Sequence, residues 1–129
     1  MKYELLIERR KIIVVAQIKG INDVRNFNFI LDTGASRSVI GEQVATRLGF
    51  DLTRLKLGSR LMTAGGGTNS RILKLPKFSL FGKDMVNFEV SVLNLPSQIT
   101  YFIDGLIGMD FLLQFKNIKF DFDAKTVEI

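Results

Sequence analysis

At Phe29-Ile30-Leu31-Asp32 a carboxylate directly follows an apolar run, and Thr33-Gly34-Ala35-Ser36 come after it: a small hydroxyl residue, a glycine and two more small residues. That order puts an acid in a tight turn at the edge of a hydrophobic core. Burial alone would push such a carboxyl toward its neutral form, so an acid working there must accept hydrogen bonds or share a proton. Acid–base work is the chemistry open to it. Taken alone, Asp-Thr-Gly is also the opening of an ordinary solvated turn.

Two further segments could serve such an acid. In Phe102-Ile103-Asp104-Gly105-Leu106-Ile107-Gly108-Met109-Asp110-Phe111-Leu112, branched apolar residues lead into glycine, which has no side chain to hold off another backbone. The plainer reading is a strand ending before a helix. Asp104 and Asp110 are its carboxylates. Asp110 is read as the N-cap of a short helix over 111–115 and Asp104 as a surface residue. The other segment, Thr63-Ala64-Gly65-Gly66-Gly67-Thr68, lies between Leu61-Met62 and Ile72-Leu73 and reads as an easily reshaped hairpin tip. A phosphate-binding loop would need Gly-Lys-Ser/Thr and a helix pattern after it, and neither follows.

Composition narrows the chemistry from the other side. The chain has 129 residues with no cysteine and no histidine, which excludes thiol nucleophiles, Ser-His-Asp triads, disulfide scaffolds and zinc sites built from Cys or His. Carboxylates, hydroxyls, Lys and Arg are left. The length fits one domain over 1–129, and 47% hydrophobic with 24% charged residues is an ordinary globular composition. The net charge of +5 is concentrated between positions 52 and 83, where Arg54, Lys56, Arg60, Arg71, Lys74, Lys77 and Lys83 occur with no acidic residue. A nucleic-acid footprint of this kind would interleave aromatic residues for stacking. These basic residues alternate with Leu, Met, Gly and Ser, so a solvated face is expected, and no nucleic-acid partner.

The elements that must position these residues are mostly strands. Apolar alternation and β-branched runs predict strands at 3–8, 11–19, 26–31, 61–63, 71–75, 78–81, 85–93 and 101–103, with a final hairpin in 117–129, a pattern of a small all-β domain. Residues 42–48 read as a helix ending at Gly49. The apolar run 12–16 is far too short to span a membrane, and Glu4 and Glu8 spoil a signal peptide, so a cytoplasmic protein with no membrane span in this chain is expected.

In this order and spacing the three segments resemble the retropepsin-like aspartic proteases, single-domain relatives of pepsin found in retroviruses and many cellular genomes. Most of the chain takes part. About ten residues precede the first core strand and a whole hairpin follows the last helix, which makes the cellular, prokaryotic branch the better match. The resemblance implies a closed, barrel-like acid-protease fold with one or two short helices. It further implies a homodimer in which each protomer contributes one Asp-Thr-Gly loop and a water lies between the two Asp32 carboxylates. Two like charges at that distance cannot both ionise, so the pair shares a proton.

By the same resemblance the protein is an aspartic endopeptidase acting on a peptide or protein, with no cofactor and no metal. Asp32 is the catalytic residue, Thr33 links the two loops, and Gly34 orients the substrate backbone. Ala35 replaces the serine usual in pepsin-like enzymes, which leaves the anion with one donor fewer and implies a less acidic pH optimum than pepsin's. Ser36 completes the loop, and Leu106, Ile107 and Gly108 pack behind it. Ala64, Gly65, Gly66, Gly67 and Thr68 form a flap over an extended peptide, and Arg60 and Arg71 beside the flap suggest acidic or neutral substrate flanks. A catalytically silent peptide-binding or dimerisation module on the same fold is the alternative.

Overall fold

The computed structural model describes residues 1–58, 61–63, 66–95 and 102–129. In chain order the strands are β1 (Lys2–Glu4), β2 (Leu6–Glu8), β3 (Lys11–Lys19), β4 (Val24–Leu31), β5 (Val39–Gly41), β6 (Lys56–Leu57), β7 (Leu61–Thr63), β8 (Gly66–Thr68), β9 (Arg71–Leu80), β10 (Lys83–Leu93), β11 (Gly105–Ile107), β12 (Lys119–Asp121) and β13 (Thr126–Glu128). Helix α1 (Glu42–Arg47) follows β5, and α2 (Met109–Leu112) follows β11. Six strands close a barrel in the order β3-β4-β11-β5-β10-β9, with β9 returning to pair with β3. The expected closed, barrel-like all-β fold with one or two short helices is therefore the one observed, with two such helices among the described residues.

Alternation sets the barrel wall. Along β3, Val14, Ala16 and Ile18 are buried while Val15, Gln17 and Lys19 face out, as a strand with one wet face requires. Inside, Phe29, Phe78 and Phe111 are fully buried. The Phe78 ring lies 5.4 Å from Phe29 and 5.2 Å from Phe111, edge to face in both cases. Burying one such ring is worth about 2–3 kcal/mol, so this cluster fixes the strands that carry the Asp32 loop to the helix behind it.

Several boundaries differ from those the sequence suggests, each for a local reason. Residues 3–8 form two strands because Leu5 is buried and donates its N–H to Lys125 O instead of continuing a ladder. The reading that broke 71–81 at Pro76 gives way to one continuous β9. Pro76 stands between the paired Leu75 and Lys77, across from Asn87, whose φ is +53°, where the ladder skips a pair and the missing proline N–H goes unused. The strand expected at 101–103 lies instead at Gly105–Ile107; Tyr101 is outside the described residues. Gly105 reads locally as a breaker, yet its lack of a side chain is what admits β11, since a Cβ there would overlap the Val39 carbonyl oxygen and the Phe29 ring.

The terminal hairpin is as expected: Phe120 opposes Val127, and β1 pairs with β13 to complete a three-stranded sheet ordered β1-β13-β12. Among the described residues no helix is long and apolar enough to cross a membrane.

Candidate active site

The Asp32 loop sits where three strands meet. Strand β11 enters between β4, to which it is parallel, and β5, to which it is antiparallel; Leu106 pairs with Ile30 on one side and Val39 on the other. Asp32, the first residue past β4, donates its N–H to Ile107 O at 2.9 Å, so the ladder holds the acid's backbone up to the turn. The turn then closes on itself. Ala35 N–H donates to Asp32 O at 3.1 Å, and Gly34 N–H donates to Asp32 Oδ1 at 2.9 Å. That bond to the Gly34 backbone fixes the direction in which the carboxylate points. Among the described residues its second oxygen, Oδ2, has no hydrogen-bond partner. Asp32 is half-buried, and Thr33 and Gly34 are exposed beside it.

Behind the turn the loop is sewn to the segment after β11. Met109 N–H donates to Ala35 O at 2.8 Å and Asp110 N–H to Ser36 O at 3.2 Å. Gly108 N–H donates to Ser38 Oγ at 3.0 Å, and the Ser38 hydroxyl donates in turn to Asp110 Oδ1 at 2.7 Å. Ser38 N–H donates to Asp110 Oδ2 at 2.9 Å, while Phe111 N–H donates to Asp110 Oδ1. Gly108 is where the backbones touch: a Cβ there would lie 2.7 Å from Ala35 O and 2.8 Å from Arg37 O. Leu106, Ile107 and Gly108 thus lie against the Asp32 loop, Ile107 and Gly108 fully buried and Leu106 half-buried.

Asp110 is not the N-cap that the sequence suggests. Gly108 caps α2, and Asp110 lies in its first turn. The reason is Ser38, which is fully buried and offers two donors from the Asp32 loop; the carboxylate spans the gap between loop and helix and also accepts from the next residue's N–H. Nor is Asp104 a plain surface residue. It is half-buried, accepts Asn28 N–H at 2.8 Å on its carboxylate and exchanges backbone bonds with Asn28 and Gly41, so it ties β4 to β5. Sequence reasoning missed Ser38. Its signal was slight: a small hydroxyl residue just before the fully buried β5.

The glycine-rich segment forms an antiparallel pair with Leu61 opposite Thr68, Met62 opposite Gly67 and Thr63 opposite Gly66. Ala64 and Gly65 of the expected flap lie outside the described residues, as does Arg60. Arg71 donates to Leu55 O at 3.2 Å. In the basic stretch, Arg54 pairs with Asp51 and Lys77 with Asp84 on the surface. Among the described residues, no group of three or more metal-ligating side chains occurs.

Residues 14–111 match the aspartyl protease family. An uncharacterised protein of Rickettsia prowazekii is 31% identical over 105 residues, covering 80% of this chain; the chain spans 42% of that relative's length. A crystal structure of a retropepsin-like aspartic protease from Rickettsia conorii superposes with a TM-score of 0.73 at 23% identity, over 98% of this chain and 88% of that one. EIAV protease, crystallised with an inhibitor, gives 0.65 at 20% identity over 82% and 88%. The retroviral protease-like domain of Ddi1 from Leishmania major gives 0.59 at 19% over 91% and 86%. With the family sequence running from β3 to α2 and a retropepsin-like barrel carrying its Asp-Thr-Gly turn, this chain belongs to the aspartyl protease family.

Proposed function

We propose that two copies of this chain associate about a two-fold axis as an aspartic endopeptidase, with Asp32 of each protomer facing a shared water. The observation that carries this reading is the state of the carboxylates around the loop. Asp104 and Asp110 are occupied by donors from neighbouring strands and from Ser38. Asp32 is directed by one N–H, keeps an oxygen without a partner among the described residues, and stands on an exposed turn. An acid–base pair built on Asp32 needs a second carboxylate, and a second copy supplies an identical one.

The chemistry follows from like charges held close. The two carboxylates retain one proton between them. The ionised one takes a proton from the water as its oxygen attacks the peptide carbonyl; the protonated one hydrogen-bonds the carbonyl oxygen and afterwards helps protonate the leaving nitrogen. Thr33 bridges the two loops, Gly34 orients the substrate backbone, and Ala35 and Ser36 shape the turn. Leu106, Ile107 and Gly108 hold it from behind. The paired strands around Gly66, Gly67 and Thr68 cover an extended peptide, which is held as an added strand.

A casein or peptide digest from pH 3 to 8, run beside sedimentation across protein concentration, tests the reading. Cleavage that tracks the dimer and disappears in Asp32→Asn is expected. A strict monomer without activity that still binds peptide would replace the endopeptidase by a binding module.

A further inference from the structure

The β2–β3 hairpin turns on two arginines. Glu8 pairs with Lys11, so Arg9 and Arg10 form the two-residue loop, with φ of +48° and +64°. Such a turn favours Asn-Gly because both residues occupy the left-handed region, which a β-carbon makes costly. Positions of this kind cluster at binding and catalytic sites, although Phe81, Asn87 and Lys125 share the same φ region in this chain. Arg9, Arg10 and Lys11 are all exposed, and none forms an ion pair with a described residue. Glu8 is the acidic neighbour within the hairpin, which leaves an excess of two positive charges at its tip.

The barrel's register puts this tip beside the candidate acid. Ile13 on β3 pairs with Ile30 on β4. Two residues back from Ile13 is Lys11, and two residues on from Ile30 is Asp32, so the cationic tip and the Asp-Thr-Gly turn leave the barrel at the same end. At about 3.3 Å per residue, the tip stands roughly one or two residue lengths past the level of Asp32. A peptide residue two positions from a bond at Asp32 is displaced by about 7 Å, the upper end of that range.

We propose that Arg9, Arg10 and Lys11 form a specificity element that receives a glutamate or aspartate side chain of an extended peptide substrate, a few residues from the bond at Asp32. The assignment rests on the proteolytic reading of Asp32, so the test reads binding apart from cleavage. Two degenerate pools of short peptides with the same apolar content, one carrying Glu and one carrying Lys, are titrated by fluorescence anisotropy against Asp32→Asn protein. Exposed charges are strongly screened, so the Glu pool is expected to bind about tenfold tighter at low salt and less than about twofold tighter at 0.5 M salt.

The double variant Arg9→Asn/Arg10→Gly installs the preferred turn pair, and a thermal melt checks its fold. Its preference for the Glu pool is expected to collapse to about twofold or less, while Arg9→Lys/Arg10→Lys retains it. Equal binding of both pools to the parent, or a preference unchanged in Arg9→Asn/Arg10→Gly, overturns the proposal. Displacement of the Glu pool by single-stranded DNA that binds more tightly also overturns it, in favour of a general polyanion surface. A Glu preference that depends on the arginines, in a protein that cleaves nothing, supports the hairpin's role in binding peptides and removes the proteolytic reading alone.

Discussion

Ser38 and Asp110 lock the Asp32 loop to the helix behind it: the Ser38 hydroxyl donates to Asp110 Oδ1 at 2.7 Å and its N–H to Oδ2 at 2.9 Å. The same hydroxyl accepts Gly108 N–H, so one buried oxygen joins the residue before β5 to the segment that runs from β11 into α2. Asp110→Ala leaves the N–H and hydroxyl of the fully buried Ser38 without that acceptor, and about 1–3 kcal/mol of stability should be lost. Urea unfolding of the variant beside the parent measures it. An unchanged midpoint would mean that the lock contributes nothing.

Gly108 should tolerate no side chain. The Cβ of Gly108→Ala would meet the Ala35 and Arg37 carbonyl oxygens, both of them backbone that cannot turn aside. The loop must shift by several tenths of an ångström, at a cost of about 1–3 kcal/mol. Peptide hydrolysis should fall much further than the stability loss accounts for at a temperature where the variant is folded. Full activity in Gly108→Ala would show that the close approach does not position Asp32.

Asp104 should behave as a structural tie. Asp104→Ala strands the half-buried Asn28 N–H, so thermal stability drops by an amount on the order of 1–3 kcal/mol, while cleavage by the folded fraction persists. Loss of all turnover in a folded Asp104→Ala protein would make Asp104, rather than a second Asp32, the other acid.

Asp84 gives a pH signature outside the site. Ser79 donates to its carboxylate at 2.6 Å and Lys77 lies 3.4 Å away, and these hold its carboxyl below the ordinary aspartate value of 3.8. A lowered folded-state value means stability that is fully present above the unfolded value and lost as pH falls through the lowered one. Carboxyl NMR should place the midpoint below 3.8 in the parent and move it upward in Ser79→Ala. A midpoint unmoved by the substitution would assign the shift to another cause.

The sequence carried the barrel and the loop because both are written in local pattern. Alternation in Val14, Ala16 and Ile18 reads as one buried face, and the apolar lead into Asp32-Thr33-Gly34 reads as a strand entering a turn. What stayed hidden depends on distant chain. Gly105 looks like a breaker until β4 and β5 are seen on both sides of it. Pro76 looks like one until the strand opposite skips the same position. Asp110 resembles a cap because the donors that claim it, on Ser38, are 72 residues away. The arginine hairpin shows only as basic residues until the β3–β4 register aligns it with Asp32.

Subunit mixing tests most directly whether the reactive pair comes from two chains. Parent protein is exchanged with an equal amount of Asp32→Asn protein, and peptide cleavage is followed as the dimers re-equilibrate. If one Asp32 from each protomer makes the site, mixed dimers are inactive and the total rate falls to about half its value before exchange, because random pairing leaves half of the parent chains with inactive partners. A rate that stays constant through exchange would place both working carboxylates within a single chain and contradict the account.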